Sequence, residues 1–169
     1  SQNNDTGVVY VYQCSQIQDG QHITNADLRD NSYNWVQLGQ DISYAGCYQI
    51  GSTISLDGKG HRIAINSWGN IGTFWPKIHI FDYSANTDSW ELFNSLEFND
   101  NDTPYVGDTI KMNYDGTLMI TGYGENDNNA GSVSIYDISG SSIVKLQDFT
   151  GDIAFQEMGK SALTMSDTG

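Results

Sequence analysis

The chain has 169 residues, with 21 Asp and Glu against 7 Lys and Arg, a formal net charge of −14, and 38% hydrophobic and 12% aromatic residues. This apolar content suits a folded core rather than a disordered polyanion, and the longest wholly apolar run, Val8 to Tyr12, is far shorter than the roughly 20 residues of a membrane helix. Seven scattered cations under a strongly negative field cannot neutralise a phosphate backbone, so nucleic acid is not an expected partner and no membrane span is expected.

In chain order, the first predicted strand is Val8-Val9-Tyr10-Val11-Tyr12, with aliphatics on one face and tyrosines on the other. A 22-residue interval from Gln13 to Trp35 follows, and its insertion around 15–34 carries Asp19, His22, Asp27, Arg29 and Asp30. An insertion of this kind is either a partner-binding loop or a solvated one. Next come Trp35-Val36-Gln37-Leu38, with Trp35 expected in the core, and Ile50-Gly51-Ser52-Thr53-Ile54-Ser55-Leu56. The turn Asp57-Gly58-Lys59-Gly60 leads to Arg62-Ile63-Ala64-Ile65, then Lys77-Ile78-His79-Ile80-Phe81, then Trp90-Glu91-Leu92-Phe93. Large residues on both faces of these strands suit sheets covered on both sides.

The same order then recurs. Val106-Gly107-Asp108-Thr109-Ile110-Lys111-Met112 and Met158-Gly159-Lys160-Ser161-Ala162-Leu163-Thr164 align with residues 50–56 without gaps, their glycines 56 and 52 residues apart. Lys59-Gly60, Asp115-Gly116 and Asp167-Thr168 fall at one position and read as two-residue hairpin turns. Trp35, Trp90 and Ile143 stand 16, 17 and 16 residues before the three glycines. Lettering the strands A to D from the glycine element, the chain reads C-D, A-B-C-D, A-B-C-D, A. Four short strands in a unit of this length is the pattern of a β-propeller blade. The expected fold is therefore all-β, in antiparallel four-stranded propeller blades: two complete, over 51–106 and 107–158, and two partial, over 1–50 and 159–169. Three blades' worth of chain is fewer than the four to eight that close a propeller, so a segment of a larger propeller is expected.

These residues carry a resemblance. Ile50-Gly51, Ile63-Ala64-Ile65, Val9-Tyr10-Val11-Tyr12 and Trp35-Val36-Gln37-Leu38-Gly39 resemble divergent β-propeller repeats, similar to the FG-GAP repeats of integrin α-subunits and to tandem repeats in surface proteins of marine microbes and large viruses. The resemblance covers nearly the whole chain. It departs at the A-B turn, where that family carries an Asp-rich calcium loop and this chain has only Asp57-Gly58-Lys59-Gly60 and Asn113-Tyr114-Asp115-Gly116, so calcium is not carried over to that rim.

In such blades the D-A and B-C loops share one rim. Asp100 and Asp102 of a D-A loop should then approach Glu125, Asp127 and Asn129 of a B-C loop, whose alternate-residue carboxylates and amide offer oxygen ligands for calcium. A solvated acidic surface explains the same clusters. One blade earlier the same rim holds Tyr44 and Tyr48 with Trp68, Phe74 and Trp75, aromatics that could stack on a sugar or serve packing between blades. His22, His61 and His79 show no metal spacing, and no nucleophile elbow or phosphate loop occurs, so the chain is not expected to be an enzyme. Cys14 and Cys47 are predicted at opposite rims, roughly 17–20 Å apart for a strand of this length, too far for a disulfide.

Ser1 without a preceding Met, and an ending inside a predicted turn, suggest a processed chain or a piece of a longer one. Sequons at Asn4-Asp5-Thr6 and Asn101-Asp102-Thr103 fit an extracellular, cell-surface or virion-surface setting. The expected function is a non-catalytic structural or interaction module that meets other protein chains, or the rest of a longer parent, through its loop rims. The alternative is a calcium-assisted, glycan-binding propeller.

Overall fold

Segments that alternate branched aliphatics with small or polar residues favour the pleated, half-buried surface of a sheet, and those of this chain pair in chain order. A computed structural model describes residues 7–14, 35–45, 49–68, 75–98, 107–124 and 129–167. β1 (Tyr12–Cys14) and β2 (Trp35–Gln37) form an antiparallel pair extended by a bridge between Val9 and Ile42. β3 (Ile54–Leu56), β4 (Arg62–Ser67), β5 (Lys77–Ser84) and β6 (Ser89–Glu97) form a second sheet in that order. β7 (Thr109–Met112), β8 (Leu118–Tyr123), β9 (Ser132–Asp137) and β10 (Val144–Thr150) form a third. The protein is thus all-β, built of antiparallel sheets of two to four strands, and no helix among the described residues is long and apolar enough to cross a membrane.

The two four-stranded sheets pair in matching register. Ile63 pairs with Phe81 and Ala64 with Ile80, and one repeat later Met119 pairs with Tyr136 and Ile120 with Ile135. The inner strands differ from expectation at their start. β3 begins at Ile54, because Gly51 has φ +90 and sits in a turn before the ladder. Gly107 and Gly159 share that conformation at φ +82 each, a region side-chain-bearing residues rarely enter. The A-B turns also differ from the two-residue form. Gly60 N–H donates to Asp57 O and Gly116 N–H to Asn113 O, with both glycines at positive φ. The Asp57 carboxylate then accepts the N–H groups of His61 and Arg62 at 2.8 and 3.1 Å, and the Asn113 amide oxygen those of Thr117 and Leu118 at 2.9 Å each. The Asx side chain, by bonding main chain beyond the turn, widens the connection.

Each face of the middle sheet meets a different core. Phe81 and Trp90 join Ile63, Ile65, Val9, Val11, Ile42 and Ile50, whereas Ile78, Ile80 and Ala64 pack on Ile110, Met112, Met119, Tyr136 and Ile138. Trp90 is an anchor as expected, but Trp35 is not in the core: it is 60% exposed. Cys14 is a free, buried thiol, and Cys47 lies outside the described residues.

Neighbouring sheets are stitched along their inner strands. Thr53 Oγ1 donates to Asp108 O at 2.9 Å, Asn66 Nδ2 to Gly107 O at 3.1 Å, Met112 N to Ser55 Oγ at 3.0 Å and Gly58 N to Tyr114 O at 2.9 Å. One repeat on, Thr109 Oγ1 donates to Gly159 O at 2.7 Å. Arg62 adds a node. Its guanidinium forks onto Asp82 at 2.6 and 2.7 Å, reaches across to Gly116 O and Ile138 O at 2.9 and 2.7 Å, and lies 4.3 Å from the Phe93 ring centroid. The hydrogen bond to Asp82 raises the arginine's already high pKa further. Arg62→Met should therefore destabilise by roughly 2 to 3 kcal/mol in denaturant titrations, below the range for a fully buried pair because the Asp82 side chain is 40% exposed. A loss under about 0.5 kcal/mol, the ordinary surface value, would contradict this role.

Candidate functional site

The β4–β5 register sets Ser67 opposite Lys77, so Trp68 and Trp75 fall at the same end of that strand pair, both partly buried. Tyr44, arriving from the segment after β2, stacks on His79 with ring centroids 4.4 Å apart and an interplanar angle of 30°. Beneath it, His79 Nδ1 is 2.9 Å from Ser95 Oγ and Nε2 is 3.3 Å from Ser67 Oγ, so three adjacent strands contribute one polar line. With a neutral ring, one nitrogen donates and the other accepts. Burial, helped by the positive charge of Lys77, lowers the His79 pKa from 6.5 to about 4. Ser67 and His79 have no solvent-exposed surface, so this serine–histidine pair is sealed beneath Tyr44 rather than open to a substrate.

Of the five aromatics expected on this rim, Tyr44, Trp68 and Trp75 are placed as above, while Tyr48 and Phe74 lie outside the described residues. Of the acidic constellation, Asp100, Asp102, Glu125 and Asp127 also lie outside them. Asn129 is described. It adopts φ +63 ahead of β9, and its carbonyl accepts the Glu157 N–H at 2.8 Å. Among the described residues no group of three or more His, Cys, Asp or Glu side chains could hold a metal ion.

The other end of the middle sheet carries a feature that motif reading missed. A cleft of about 350 Å³ opens between β1 and the β3–β4 turn, lined by Val11, Tyr12, Leu56, Lys59, His61 and Tyr83 among others. Its walls come from two different sheets, and no spacing within one segment announces such a site. Lys59 also reaches Asp115 of the next turn at 2.6 Å, and this hydrogen-bonded contact raises the lysine pKa. The Tyr83 hydroxyl donates to Asp88 at 2.7 Å.

No protein-family model matches the chain, and no curated protein matches it significantly.

Proposed function

We propose that the chain is a run of β-propeller blades acting as a non-catalytic structural or interaction module of an extracellular or virion-surface protein, meeting other protein chains through its loop rims. The observation that carries this reading is the repeated unit itself. Two four-stranded antiparallel meanders share one register, and the inner strand of each bonds to the next unit through the same hydroxyl position, Thr53 to Asp108 and Thr109 to Gly159. A radial array of such sheets places all A-B turns side by side, in keeping with the contact between Lys59 and Asp115.

A second reading, a calcium-assisted glycan binder, draws on the grouping of Tyr44, Trp68 and Trp75 near one end of the middle sheet. The two readings separate by experiment. For the interaction module, glycoside and ester substrates are not turned over, calcium leaves the Tm unchanged, and a glycan array stays blank. Turnover would remove the non-catalytic reading. A calcium-dependent rise in Tm that Asp100→Asn or Glu125→Gln abolishes, together with glycan retention, would establish the alternative.

A further inference from the structure

Arg62 fastens the middle sheet to the third through the Asp82 carboxylate, the Gly116 and Ile138 carbonyls and the face of Phe93. One repeat earlier the positions of these four residues are held by Gln13, Gly60, Tyr83 and Leu38. All four line the cleft of about 350 Å³ between β1 and the β3–β4 turn. The cleft therefore lies where the Arg62 side chain lies one repeat later.

The main chain is set in the same way at both places. Tyr83 N–H donates to His61 O and Ile138 N–H to Thr117 O, each at 2.8 Å. The N–H groups of His61 and Thr117 turn instead to Asp57 Oδ1 and Asn113 Oδ1, at 2.8 and 2.9 Å. That diversion leaves the Ile138 carbonyl to Arg62, and it sets the Tyr83 carbonyl for an equivalent donor. Gly60 and Gly116 share a positive φ, +71 and +65.

Charge and shape specify the occupant. A planar guanidinium bonds two carbonyls at once while its face lies on a neighbouring side chain, which an ammonium cannot do. The net charge of −14 favours a cation, and Lys59, at the edge of the cleft, is held by Asp115 at 2.6 Å. Arg62 reaches its own seat from β4, which pairs along β5 with Arg62 opposite Asp82. β1 is the counterpart of β5, and among the described residues it has a strand, β2, on one side only.

We infer that this cleft is a seat for an arginine side chain carried by an extended polypeptide segment that pairs along β1. The arginine stands opposite Gln13, bonds the Gly60 and Tyr83 carbonyls and the Gln13 amide oxygen, and lies on Leu38. Strand addition supplies the main-chain bonds and the seat supplies the side-chain selectivity. The inference rests on the repeated sheet packing of the propeller reading.

Titration of the full chain, followed by amide chemical shifts, with a synthetic peptide copying residues 61–67 tests it. Shifts at Gln13, Gly60 and Tyr83 are expected. Peptides with citrulline or lysine in place of the arginine should bind about tenfold more weakly, the loss of one charge-assisted hydrogen bond. Gln13→Asp, checked for native Tm, recreates the Asp82 carboxylate and should tighten the arginine peptide about fivefold at low salt. No binding, equal binding of the citrulline peptide, or shifts confined to other residues overturns the proposal. L-argininamide that binds as tightly as the peptide overturns the strand-borne occupant. Arg62→Met separates the two levels. If it destabilises the fold and no peptide binds, the seat alone is refuted; if it is silent, the sheet packing behind the propeller reading fails as well.

Discussion

Trp90→Ala is expected to cost about 3 to 5 kcal/mol, the range for removing a large buried aromatic, a large share of the roughly 5–15 kcal/mol that holds a domain together. Trp90 is buried in the cluster of Val9, Val11, Ile42 and Phe81, tilted against Tyr83 with ring centroids 5.3 Å apart. It is also the clasp between the first two sheets. Its Nε1–H donates to Leu38 O at 2.8 Å, its backbone N–H to Gln40 Oε1 at 2.8 Å, and its carbonyl accepts Gln40 Nε2 at 2.8 Å. Gly39 lies so close to the indole that a Cβ there would sit 2.9 Å from Cδ1. Alanine would leave a cavity and strand the Leu38 carbonyl, so β1–β2 should loosen before the β7–β10 sheet. Denaturant titration measures the first effect and amide exchange the second. A loss below about 1 kcal/mol, or uniform loss of protection, would refute the clasp. Trp35→Ala, by contrast, should stay within about 0.5 kcal/mol.

That contrast shows where sequence reading reaches its limit. Trp35 and Trp90 occupy one repeat position, and the alternation around each is equally strand-like. Burial, however, depends on the neighbouring sheet. Trp90 receives the Leu38-Gly39-Gln40 segment, and Trp35 has no comparable cover among the described residues. The strand order and antiparallel pairing of the two four-stranded sheets were legible, because a period of two and regularly spaced turns determine both. The start of β3 was not, since Gly51 could equally have been extended. Asp57 and Asn113 read as simple turn formers, yet their side chains bond main chain four and five residues on, which only the folded turn discloses. Arg62 gave no motif either, as its partners lie 20, 54 and 76 residues away. Loop composition singled out Tyr44, Trp68 and Trp75, but the stacking of Tyr44 on His79 is a property of the assembled sheets.

His79 shows the same limit and makes the sharpest pH prediction. By repeat position it is a packing residue, equivalent to Tyr10 and Ser134. Its two ring nitrogens are partnered only because Ser67 and Ser95 on flanking strands converge on it under Tyr44. With its pKa lowered from 6.5 to about 4, the ring stays neutral in the fold while the unfolded chain takes up a proton as pH drops through 6.5. The unfolded state then binds more protons than the native one, so stability is greatest above pH 6.5 and falls as pH drops toward 4. Below that the native ring protonates too, and this contribution to the pH slope ends. The shift corresponds to about 3 kcal/mol across the window. Unfolding midpoints taken at several pH values should trace that decline. His79→Phe, which keeps the stack on Tyr44, should be less stable at neutral pH because two hydroxyls lose a partner, at about 1 to 3 kcal/mol each if they find no other. It should nevertheless show a shallower slope between 6.5 and 4, the decline that remains belonging to carboxylates such as Asp137 and Asp148, whose pKa values are lowered in the fold. A wild type whose stability is flat over that interval, or a His79→Phe variant with the slope unchanged, would show that the ring is not held neutral by its burial.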